Sequence, residues 1–120
     1  MLEDWDLTPE DKERFHKDAQ RVLRAVAEAA GLGKGEFEVG SNKAGPAIAG
    51  EVHLHADRFH LWIWGGSSLY SGASRGSVTA RRVKHRKDYA GDGENVSIDW
   101  ELLWDPASLV RVLKLEGVIS

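Results

Sequence analysis

The chain has no cysteine, and that absence removes several chemistries at once. Disulfide scaffolds, thiolate zinc sites and cysteine nucleophiles are excluded, and a thiol-free composition suits a reducing cytosol. Long apolar runs are missing as well. The longest candidate, Phe59 to Trp64, is broken by His60 and has the length of a strand. A bilayer span needs ~20 apolar residues, so no membrane partner is expected. Met1-Leu2-Glu3-Asp4 is acidic with no apolar stretch behind it, so no secretory signal is expected there and a cytoplasmic location is. Ser67, Ser68, Ser71, Ser74 and Ser77 stand in no Gly-x-Ser-x-Gly elbow, and the Gly-rich loops lack a Walker Gly-Lys-Ser/Thr. Asp88, Asp92, Glu94 and Asp99 do not follow EF-hand spacing. A non-enzymatic protein without a cofactor is the expectation.

Acids are absent from one stretch in particular. Residues 75–87 carry Arg75, Arg81, Arg82, Lys84, Arg86 and Lys87 and no Asp or Glu, in a chain whose formal net charge is −3. The counterweight is residues 3–13, where Glu3, Asp4, Asp6, Glu10, Asp11 and Glu13 meet only Lys12. Such local asymmetry marks a docking surface for an anionic partner, or a pair of blocks that meet within one molecule or between two copies as a homodimer.

What is present describes one globular domain. The chain has 120 residues, 42% hydrophobic and 29% charged, too short for two cores and too apolar for disorder. Residues 1–7 read as a flexible acidic lead. Thr8 as N-cap, Pro9 at the first helical position and Asp11 at the capping-box position open a helix. Its apolar stripe is Phe15, Ala19, Val22, Leu23, Val26 and Ala30, and Gly31 ends it. Glu36 to Val39 reads as a short strand and residues 41–46 as a loop. Ala47 to Trp64 alternates with period two, interrupted at Asp57-Arg58. A two-residue turn there opposes Ala56 to Phe59, His55 to His60, Leu54 to Leu61 and His53 to Trp62. One face then holds Val52, Leu54, Ala56, Phe59, Leu61 and Ile63 as a core face, and the other holds Glu51, His53, His55, His60, Trp62 and Trp64. Gly65 to Gly76 reads as a flexible Ser/Gly loop, Ser77 to Lys87 as a basic edge strand, and Tyr89 to Val96 as a loop. Asp105-Pro106 caps a second helix ended by Gly117. The fold class is α+β, with an antiparallel sheet of about four strands packed on an N-terminal and a C-terminal helix.

Three constellations bear on function. His53, His55 and His60 share the polar hairpin face and are a candidate metal triad, against a reading as partly exposed surface histidines. Trp62 and Trp64 share that face, and Trp100 and Trp104 are spaced to share a helical face; buried, such pairs are core, and exposed beside Arg they are partner anchors. The basic run Arg81-Arg82-Val83-Lys84-His85-Arg86-Lys87-Asp88-Tyr89 suits docking on an acidic protein surface or a nucleic-acid backbone with Tyr89 stacking a base. Neither an RNP-like nor a helix-turn-helix pattern accompanies it.

The order of these features resembles a group of small uncharacterised bacteriophage and prophage proteins. It comprises Ser41-Asn42-Lys43, then Gly50-Glu51-Val52-His53-Leu54-His55-Ala56-Asp57-Arg58, then Arg86-Lys87-Asp88-Tyr89-Ala90-Gly91, Asn95, Leu102-Leu103, Asp105-Pro106 and Leu109. The similarity spans residues 37–115. The chain departs from that pattern at His85, where glycine is usual, at Ala90, where threonine is usual, and around Trp62 to Gly65. The resemblance implies a virus-encoded accessory protein in the bacterial cytoplasm, with Arg86 to Tyr89 as a recurring structural or binding unit. The expected function is a non-enzymatic module that binds a host protein or complex, as an inhibitor of a host defence system. Arg81, Arg82, Lys84, Arg86, Lys87, Asp88 and Tyr89 would form its contact surface, with Trp62 and Trp64 as anchors. The alternatives are nucleic-acid binding through residues 81–87 and a metal enzyme on His53, His55 and His60.

Overall fold

The computed structural model describes residues 9–42, 50–65, 76–88 and 93–119. The expectations for residues 1–7, Thr8, the loop from Lys43 to Pro46, most of Gly65 to Gly76, and Tyr89 fall outside them, as does the Asp11 side chain. The element order is α1 (Pro9–Ala29), β1 (Phe37–Asn42), β2 (Gly50–Ala56), β3 (Phe59–Gly65), β4 (Ser77–Arg82), β5 (Val96–Ile98), a 3-10 helix (Trp100–Trp104) and α2 (Pro106–Leu115). The sheet is an antiparallel meander in which every strand pairs with its sequence neighbour, in the order β1-β2-β3-β4-β5.

The α1 stripe buries Phe15, Ala19, Leu23, Val26 and Ala27. The helix ends as its glycine dictates. Gly31 takes φ +83°, its N–H reaches the Glu28 carbonyl, and the Leu32 N–H reaches Ala27. The same six-to-one pattern closes α2 at Gly117, φ +77°, with the Val118 N–H on Leu113. Asp105 caps the start of α2, accepting from the Ser108 N–H at 3.3 Å and its hydroxyl at 2.7 Å.

The hairpin register is the one its period predicts, with Leu54 opposite Leu61, His55 opposite His60 and His53 opposite Trp62. Val52, Leu54, Ala56, Phe59, Leu61 and Ile63 are buried and join Val78, Ala80 and Ile98 beneath the two helices.

The α+β architecture, an antiparallel sheet with an N-terminal and a C-terminal helix, is the expected one, and particular elements differ from their expectations. The sheet has five strands, because Val96–Ile98 pairs with Val78–Ala80. That pairing makes β4 an interior strand, and only its basic end, Arg81 and Arg82, runs beyond the reach of β5. β4 stops at Arg82 instead of Lys87: Val83 turns into the interior, its N–H bonds the Arg58 carbonyl at 3.0 Å, and residues 84–87 bend and turn. β1 runs on to Asn42, where a loop was expected, and the Ser41 hydroxyl accepts from the Gln20 amide at 2.7 Å. Finally, Trp100 is buried while Trp104 is 45% exposed. In a 3-10 helix of three residues per turn, positions four apart lie about 120° apart, so the two rings do not share a face.

Candidate binding surfaces

Opposite the helices, the sheet presents Glu38, Glu51, His53, His55, His60, Trp62, Trp64, Thr79 and Arg81 in neighbouring registers. Its centre is a histidine ladder. His53 and His55 stack along β2 with centroids 4.4 Å apart, and His55 meets His60 across the strands at 4.2 Å. Gly40 makes room for the ladder, because a Cβ there would stand 2.6 Å from His53 Nε2. His60 is buried and donates Nε2–H to the Arg86 carbonyl at 2.7 Å; a carbonyl can only accept, so the proton sits on that nitrogen. Burial pushes the His55 imidazole down to about 4, with His60 and His53 adding to the effect and Glu38 opposing it. Burial also lowers His60. The three histidines therefore come together as a ladder of ring contacts, stacked between His53 and His55 and tilted between His55 and His60. Stacking turns their faces toward one another, and among the described residues no group of three His, Asp or Glu side chains could hold a metal ion.

Beside the ladder the Arg81 guanidinium lies over the Trp62 ring, 5.3 Å from its centroid. Its NH1 reaches the Asn95 side chain at 3.4 Å. Glu51, the three histidines, Trp62 and Arg81 line a shallow concavity of about 260 Å³. Trp64, two residues further along β3, is 43% exposed.

The basic run does not form one surface. Arg86 faces inward to the sheet end, donating to Asp57 at 3.1 Å, to Glu38 at 3.3 Å and to the Gly35 carbonyl at 2.8 Å. Asp88 accepts from the Lys84 N–H at 3.1 Å, and its own N–H bonds the His85 carbonyl. Residues 84–88 are thus a knot clamped against the hairpin and β1, so Arg86 and Asp88 do not belong to a solvent-facing contact patch. Lys87 is exposed, and Tyr89 lies outside the described residues. Arg82 sits opposite Phe59, on the helix side of the sheet from Arg81. With Lys84 and Arg58 it lines a second, polar groove of about 550 Å³ against Val118 and Ile119.

Arg58 escaped the sequence reading because the Asp57-Arg58 pair registers only as turn residues. Glu38, which anchors Arg86, carried no motif at all. Of the nine expected binding residues, Trp62, Trp64 and Arg81 cluster on the open face, Arg82 and Lys84 line a groove, Arg86 and Asp88 form a clamp, Lys87 is exposed, and Tyr89 lies outside the described residues. No protein-family model, curated protein or solved structure matches this chain.

Proposed function

We propose that this protein is a non-enzymatic binding module, a phage-encoded accessory protein that docks on a component of a bacterial host defence system and inhibits it. The observation that carries the reading is the Arg81–Trp62 pair with Trp64 beside it, on the sheet face turned away from both helices. Tryptophan and arginine are the residue types that dominate the energetics of protein interfaces, and stacking fixes the guanidinium before any partner arrives. Burial lowers the pKa of His55 and His60, which favours their neutral form, and Glu38 of β1 and Glu51 of β2 stand beside them on the same face. The bacterial host follows from the resemblance to phage proteins alone.

The test is affinity capture from bacterial lysate, run in parallel with the native chain and with Trp64→Ala and Thr79→Arg. The first removes an exposed anchor and the second places bulk on the same face, and neither touches the core. A host protein retained by the native chain and lost by both variants supports the reading. Identical captures from all three sink it. Salt-sensitive binding of labelled single-stranded DNA or RNA that Arg82→Glu abolishes would put nucleic-acid binding in its place.

A further inference from the structure

The histidine ladder is fixed at one end and looser at the other. His60 is buried, and its Nε2–H is tied to the Arg86 carbonyl at 2.7 Å. Arg86 is itself anchored through its guanidinium to Asp57, Glu38 and the Gly35 carbonyl, so the carbonyl that holds His60 is a rigid post. At the other end His53 lies against the bare backbone of Gly40, where a Cβ would stand 2.6 Å from its Nε2. His55 is the middle ring, 4.4 Å from His53 and 4.2 Å from His60. His53 and His55 are only half-buried, so either can swing toward solvent about its side-chain torsions, whereas His60 cannot.

The charged groups around the ladder come from every neighbouring segment. Glu38 on β1 stands opposite His55, Glu51 on β2 precedes His53 by two residues, and Arg81 on β4 stands opposite His60. Arg86 and Asp88 face His60 from the knot. Burial is the largest influence on His55 and His60 and opposes the charged form, and Arg81 adds to it. Glu38 favours a proton on His55 and Asp88 one on His60. The carboxylates let the ladder accept protons, but two imidazolium rings at these separations repel, so the stack cannot charge fully in place.

We propose that the ladder is a proton-operated switch of the open face, stacked while its rings are uncharged and opened when protons accumulate on it, with His53 and His55 swinging away from the pinned His60. The three rings line the concavity with Glu51, Trp62 and Arg81, so opening changes the shape and the charge of that concavity together. As regulation of the docking face, the switch rests on the reading of Trp62, Trp64 and Arg81 as anchors. The ring movement itself belongs to the free chain and is measured there.

The test is an NMR titration of the full chain from about pH 7.5 down to about pH 4, following the imidazole signals and the ring-to-ring NOEs. His55 should titrate well below the ordinary 6.5, toward about 4, along a broadened curve, because each proton opposes the next. NOEs from His55 to His53 and to His60 should disappear along that curve while the far-UV circular dichroism stays constant. Gly40→Ala displaces His53 without removing a titratable group, and it should weaken the His53–His55 NOE before any acid is added and raise the His55 midpoint. His60→Gln keeps an N–H for the Arg86 carbonyl and should also raise that midpoint. Trp64→Ala, which removes a docking anchor, should leave the titration unchanged, so a failed capture of a host protein and a failed switch are separate results. His55 titrating at the ordinary value overturns the proposal. So do NOEs that persist after the rings are protonated, loss of the far-UV signal along the same curve, or a His55 midpoint that neither Gly40→Ala nor His60→Gln moves.

Discussion

Arg86 makes three hydrogen bonds through its guanidinium and accepts a fourth, from His60, on its carbonyl. It joins the turn after α1, strand β1, the hairpin tip and the chain after β4 in one place. A planar fork of fixed donors serves this role, and the point charge of a lysine does not reproduce it. Arg86→Lys should therefore lower the melting temperature almost as far as Arg86→Ala, whereas Arg82→Glu should leave it close to the native value, as followed by far-UV circular dichroism. Equal losses at positions 82 and 86 would show that charge density, not the clamp, matters there. His55 makes a second prediction at this scale. Its folded pKa of about 4 lies below the ordinary 6.5, so as pH falls the unfolded chain takes up the proton first. The stability it supports is complete above about pH 6.5 and is lost progressively toward pH 4. Thermal melts across that window should show the decline, and His55→Gln should flatten it.

Among the elements, the β2–β3 hairpin was legible because a strand with one buried face has a register that only one pairing satisfies. Shifting Leu54 and Leu61 by one residue would turn both out of the core and turn His55 and His60 in. The helices were legible from their stripes and from Gly31 and Gly117. Three residues of β5 are too few for a period to emerge, and Val96-Ser97-Ile98 acquires its strand character only by lying beside Val78–Ala80. The basic end of β4 misled for a related reason: alternation continues in sequence past Arg82, but Val83 bonding the Arg58 carbonyl ends the strand. The groove went unread because its three cations come from separate segments that only the fold brings together. The central strand carries the prediction here. Leu61, fully buried on β3, should cost about 2–5 kcal/mol on truncation to alanine by urea denaturation. A cost under 1 kcal/mol would mean that the core closes over the gap.

At the scale of the molecule, charge is arranged end to end. Phe15, near the start of α1, packs against Gly65, while Ala30 and Leu32, past its end, meet Arg58 and Phe59. A helix of 21 residues holds these ends roughly 30 Å apart. Glu10 and Glu13 therefore lie toward the pole opposite Arg82 and Lys84. Both helices and strands β2 to β5 contribute to one cluster of buried side chains, and Phe37 and Val39 of β1 pack against it half-buried. Tryptophan fluorescence and far-UV circular dichroism should accordingly report a single coincident unfolding transition in urea. Two separated midpoints would divide the chain into independently stable parts.

The neighbour-to-neighbour strand order also sets how the chain gets to its native state. Each hairpin of the meander can zip up locally, with little loop entropy to overcome, which favours rapid folding. The contact between α1 and α2 is of a different kind, since it joins the two ends of the sequence. Leu109 and Leu113 on α2 are buried, and their native contacts form only after the intervening sheet has drawn the ends together. Truncating either should mainly accelerate unfolding and leave the refolding limb of the chevron little changed, so α2 acts as the latch that sets the lifetime of the folded molecule.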